Sequence, residues 1–95
     1  MIKEYQWYEA IYLLFKDYNF NLSNKIINNN SIQLDFSKQE NIIDKFSIIR
    51  NSNNYIAIIP LKKNNNSYRT EFNNLYDAFI YLQFHLYNYI INNIY

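Results

Sequence analysis

The chain has 95 residues, 49% of them hydrophobic and 20% aromatic, with 18% charged, a net charge of +1, no glycine and no cysteine. Without glycine there is no phosphate-cradling P-loop, dinucleotide fingerprint or nucleophile elbow, and without cysteine no disulfide frame, thiolate nucleophile or thiolate zinc site. The near-neutral charge argues against an acidic nucleic-acid mimic and against a protein that grips DNA mainly by a basic patch, because phosphate affinity grows with the number of cations presented.

Residues 3 to 18 carry apolar side chains at helical spacing. Trp7, Ile11, Leu14 and Tyr18 form one stripe, and Tyr5, Tyr8, Tyr12 and Phe15 a second beside it. Gln6, Glu9, Lys16 and Asp17 face away, so the segment is an amphipathic helix with a wide apolar arc. The pattern breaks at residues 19–24. Asn tolerates the left-handed region better than most residues, and an asparagine in this break is expected to end the helix as glycine commonly does.

Asn28 to Asn30 reads as a turn. Ile32, Leu34 and Phe36 then alternate with Gln33 and Asp35, the period of a half-buried strand. Residues 37–45 are ambiguous, since Ile42 and Ile43 fit either a strand extension or a short turn of helix. Residues 46–50 and 55–61 are the clearest strands, joined by Asn51-Ser52-Asn53-Asn54, where Asn can supply positive φ. The second of these is apolar on both faces, as expected of an inner strand or of a strand covered on both sides, and Pro60 belongs near its end because it cannot donate to a ladder. Lys62 to Ser67 form another turn. Tyr68, Thr70 and Phe72 alternate with Arg69 and Glu71 in a fourth strand, and Asn73 or Asn74 caps a last helix with Asp77 in its first turn. The expected architecture is one α+β domain over residues 1–95. Its order is α-β-β-β-β-α, an antiparallel meander with both terminal helices on one face. Trp7, Ile11, Leu14, Ile58, Phe79 and Leu82 are the expected core.

The last helix carries the sharpest functional signal. Leu75, Phe79, Leu82, Leu86 and Ile90 form one stripe. Tyr76, Ile80, Tyr87, Ile91 and Ile94 form a second, about a quarter-turn away. A helix lying on one sheet buries one stripe. The second is expected to bind a protein partner or the same helix of a second copy, making a homodimer, unless the first helix covers it. An alternative site for nucleic acid would combine Lys62, Lys63 and Arg69 with Tyr55 and Tyr68 for phosphate contact and base stacking, although three cations are few. His85 is the sole histidine, and Asp77 lies too far along the same helix to orient it, so no catalytic residue is assigned. No residue spacing suggests a metal site or another cofactor site.

Phe, Leu, Ile, Tyr, Asn and Lys can be spelled with A and T alone and fill 67 positions, so the gene is AT-rich. No secretory signal opens the chain. The longest apolar stretch, 75–91, is interrupted by Asp77, Gln83, His85 and Asn88, so a soluble cytoplasmic protein with no membrane span is expected. The functional expectation is a small non-enzymatic protein-binding module. An origin in a phage or mobile element fits this composition, with the module inhibiting a host defence enzyme of the CRISPR type by occluding its surface. Nucleic-acid binding is the alternative.

Overall fold

In the computed structural model, which describes residues 3–39, 41–61 and 66–92, the first helix ends without glycine. Helix α1 runs Glu4–Asp17, and Asn19 beyond it adopts φ 66°. The Asn19 N–H donates to the Lys16 carbonyl at 3.0 Å and the Phe20 N–H to the Phe15 carbonyl at 2.9 Å. This is the double bond pattern of a Schellman stop, and the Phe15 and Phe20 rings meet across it at 5.7 Å as the accompanying apolar contact. An asparagine ends the helix as expected, and it is the first of the break, Asn19. At the other end, the Gln6 Oε1 accepts the Lys3 N–H at 2.8 Å, satisfying an orphan donor.

Five strands follow rather than four: β1 Asn21–Ile27, β2 Ser31–Lys38, β3 Asn41–Asn51, β4 Asn54–Leu61 and β5 Asn66–Phe72. They pair antiparallel in chain order, β1-β2-β3-β4-β5, and helix α2 closes the fold at Leu75–Asn92. The α+β meander is as expected, with one strand more. The additional strand is β1, which lies at the edge and is broken by a bulge between Leu22 and Asn24, where Ser23 is the unpaired residue. Ile42 and Ile43 extend β3 and do not form a helical turn.

The turns use short polar side chains. Asn28 Oδ1 accepts the Asn30 and Ser31 N–H groups and the Ser31 hydroxyl at 2.9–3.1 Å, locking the β1–β2 hairpin. In the β3–β4 turn the positive φ falls on Ser52, at 60°, and not on an asparagine as expected. The two-residue connection puts its positive φ at the first central position, and that position is Ser52. At the start of α2, Asn74 Oδ1 accepts the Asp77 N–H at 2.8 Å, an N-cap bond.

Paired strand residues share a face. Leu34 and Phe36 of β2, Phe46 and Ile48 of β3, and Ala57 and Ile59 of β4 lie under the helices, against Ile11, Leu14 and Phe15 of α1 and Leu75, Ala78, Leu82 and Leu86 of α2. Phe15 stacks on Phe36 at 4.5 Å and touches Phe46 at 5.2 Å, while Tyr89 of α2 closes on Phe20 and Phe46. Each large apolar side chain fully buried here contributes about 1.5–3 kcal/mol. Three expected core residues are placed differently. Trp7 and Phe79 are half-buried at the rim, facing each other at 5.5 Å, and Ile58 points to the opposite sheet face. Phe15, in the second stripe of α1, is wholly buried, whereas Tyr5 and Tyr12 of that stripe are exposed.

Candidate interaction surface

Both helices lie on one side of the sheet, and α2 runs over β4 and β5 with α1 beside it. That placement decides how much of the outer stripe of α2 remains uncovered. Tyr76 packs edge-on to Trp7 at 5.2 Å and Tyr87 to Tyr18 at 5.6 Å, so α1 shields one flank. The stripe is open nonetheless: Tyr76 is 52% exposed, Ile80 41%, Tyr87 37% and Ile91 77%. Phe84, 60% exposed, completes it. Its spacing of four from Ile80 and seven from Ile91 puts it on this strip, although it belongs to neither stripe expected from the sequence. Ile94 lies outside the described residues. Beside the stripe is a shallow hollow of about 510 Å³ between Phe72, Tyr76, Ile80, Tyr81 and Phe84. Tyr81, in its lining, accepts a hydrogen bond from the Thr70 hydroxyl at 3.0 Å.

A second apolar groove, of about 570 Å³, separates α1 from the β1 edge. Tyr5, Tyr8 and Tyr12 form its helix wall, and Leu22, Ile27 and Ile32 line the sheet side. Burial, then the neighbouring Glu4 carboxylate, pushes the Tyr8 hydroxyl well above its ordinary pKa, and that hydroxyl donates to Glu4 Oε1 at 3.1 Å. Glu4 also pairs with Arg50 of β3 at 3.3 Å. Burial and the same carboxylate raise Tyr55 too.

The described residues of the alternative site divide between the two sheet faces. Arg69 pairs with Ile58 and lies on the sheet face away from the helices, while Tyr68 and Tyr55, paired with Ile59 and Phe72, lie on the helix face. Tyr55 is half-buried, and Lys62 and Lys63 fall outside the described residues. The face bearing Arg69 holds a polar hollow of about 340 Å³ around Asp35. Asp35 is 5% exposed and accepts from the Ser47 hydroxyl at 2.6 Å, Asn24 Nδ2 at 3.1 Å and Gln33 Nε2 at 3.2 Å. Those bonds tie β1, β2 and β3 together and satisfy the carboxylate, as a buried charge requires.

His85 rests between the rings of Tyr81 at 4.4 Å and Phe84 at 5.2 Å, and burial lowers its pKa. Among the described residues no three His, Asp or Glu side chains converge as metal ligands, and no described helix is long and apolar enough to cross a membrane. No family model matches the chain, and no significant match was found among curated proteins or solved structures.

Proposed function

We propose that this chain is a non-enzymatic protein-binding module whose docking face is the outer stripe of α2. The observation that carries the reading is the run Tyr76, Ile80, Phe84, Tyr87 and Ile91, all large, apolar or aromatic, and at least 37% exposed along a single helix face. Monomeric surfaces seldom leave such a run uncovered, and tyrosine and phenylalanine are the side chains that interfaces favour. Tyr76 and Tyr87 are steadied by ring contacts to α1, so less side-chain freedom is lost when they dock. An AT-rich gene and a single small domain suit an accessory protein of a phage or mobile element. Its partner in that setting is a host defence enzyme, of the CRISPR type, blocked by occupation of its surface.

The test is affinity capture from the host with the unmodified chain and with Ile80→Asp/Ile91→Asp, quantified by mass spectrometry and followed by an activity assay on the captured enzyme. The double variant melts cooperatively, because both positions are exposed, yet loses the partner and its inhibition. Equal capture and inhibition by both forms would remove α2 as the docking face. Submicromolar binding of DNA or RNA at physiological salt, lost in Lys62→Ala/Lys63→Ala, would replace this reading with nucleic-acid recognition.

A further inference from the structure

β1 ends the sheet, and no backbone hydrogen bond joins its outer edge to another described residue. The Asn28 N–H points inward, donating to the Ser31 carbonyl at 3.0 Å. Backbone groups alternate in direction along an antiparallel strand, so those of Ile26 also face β2 while those of Lys25 and Ile27 point outward. The same two residues line the groove under α1, beside Glu9. Ile26, 45% exposed, projects from the other face, and Ile27 is 60% exposed. Natural edges are usually blunted by charges, proline or bulges. Here the bulge at Ser23 leaves residues 24–27 in regular register, with apolar side chains on both faces and Lys25 as the one charge.

We infer that this edge pairs with β1 of a second copy of the chain, antiparallel across a two-fold axis at Ile26, joining two five-stranded sheets into one of ten. Charge favours a second copy as the occupant and rules against a register centred on Lys25. With the axis at Ile26, Lys25 stands opposite the partner's Ile27, over a groove whose wall carries the partner's Glu9. An axis at Lys25 would set two ammonium groups face to face, which destabilises a ladder. The outward N–H and C=O groups of Lys25 and Ile27 then meet those of the partner's Ile27 and Lys25. Between them Ile26 meets its own copy in a non-hydrogen-bonded pair, where side chains approach most closely. This pairing is independent of the docking reading for α2. It leaves the outer stripe of each copy's α2 free, and a dimer would present two docking helices at once, raising avidity for a repeated or dimeric target.

The chain has no cysteine, so one introduced thiol reports one contact. Under mild oxidation Ile26→Cys forms a disulfide-linked dimer on non-reducing gels, because cross-strand Cβ atoms of such a pair lie within disulfide reach. Ile80→Cys, on the α2 stripe, stays single. Light scattering on the unmodified chain gives twice the 11.7 kDa chain mass. Ile27→Pro, which removes only an outward N–H, gives the single mass with an unchanged far-ultraviolet spectrum. Should that variant fail to fold, Ile26→Lys, which sets like charges across the axis, supplies the same comparison. A single mass for the unmodified chain at several hundred micromolar, or cross-linking through Ile80→Cys in place of Ile26→Cys, overturns the inference. A single mass leaves capture of a foreign partner by α2 untouched, whereas cross-linking at Ile80→Cys would mean that the α2 stripe meets its own copy.

Discussion

Phe15 is the side chain on which the two layers close. It is 0% exposed, stacks on Phe36 at 4.5 Å with an interplanar angle of 8°, and touches Phe46 at 5.2 Å and Phe20 at 5.7 Å. Replacing a buried phenylalanine by alanine costs about 3–5 kcal/mol in lost transfer energy and cavity formation. The stacked pair with Phe36 adds about 0.5–1.5 kcal/mol beyond area. Three aromatic neighbours, on β2, on β3 and in the α1–β1 connection, cannot all move in to fill the space, so Phe15→Ala should sit near the upper end, at about 4–5 kcal/mol. A domain of this length holds roughly 5–14 kcal/mol in all, so the variant keeps little margin. Urea unfolding followed by far-ultraviolet circular dichroism reads this directly. With a slope of about 1–3 kcal/mol per molar urea, the midpoint should fall by about 2 M. Phe15→Leu, which retains most of the volume, should lose about 1–1.5 kcal/mol. A loss for Phe15→Ala below about 1 kcal/mol, with the slope unchanged, would mean that α1 does not pack on β2 and β3 through this ring.

The Schellman stop gives a second prediction. Asn19→Ala should destabilise by about 1 kcal/mol, because alanine bears the full steric cost of φ 66°, whereas Asn19→Gly should be neutral or mildly stabilising. Equal thermal stability of the two variants would refute it. The third concerns alkaline pH. Tyr8 is raised above its ordinary 10.0, first by burial and then by Glu4. The stability it lends is therefore complete below pH 10 and is lost as pH climbs further, because the unfolded chain releases that proton first. Urea midpoints between pH 9 and 11 should fall more steeply for the unmodified chain than for Tyr8→Phe, and parallel curves would show that Tyr8 is not shielded.

Most of the fold was legible because its elements carry strong periods. Both helices and four strands read directly from residue spacing, and a helix stop at an asparagine followed from the tolerance of asparagine for positive φ. β1 escaped because it lies at an edge, where Asn21, Ser23, Asn24 and Lys25 face solvent and the unpaired Ser23 breaks the alternation. Ile58 was misplaced for the converse reason. β4 is apolar on both faces, a pattern that reads as burial on both sides, yet both helices pack on the same sheet face. The positive φ at Ser52 had no compositional cue, since three asparagines surround it. The α2 stripe was visible as a pattern, but its openness depends on where α1 settles, and that depends on long-range packing that no local window contains. Arg69 and Tyr68 are adjacent in sequence, so strand alternation itself sends them to opposite faces.

The meander also sets a schedule for the chain as it is made. Every strand pairs with its immediate neighbour in sequence, so each hairpin can zip within microseconds of leaving the ribosome. The two helices are different. Trp7 of α1 finds Tyr76 and Phe79, and Tyr18 finds Tyr87, only after nearly the whole chain has emerged. At ordinary elongation rates the 75 residues separating the ends of α1 and α2 take roughly 4–15 s to synthesise. For that interval a nascent helix rich in tyrosine and leucine waits beside an unfinished sheet with one flank bare. A chaperone that shelters the first twenty residues would shorten that exposure, and slower translation through the second half of the message would lengthen it.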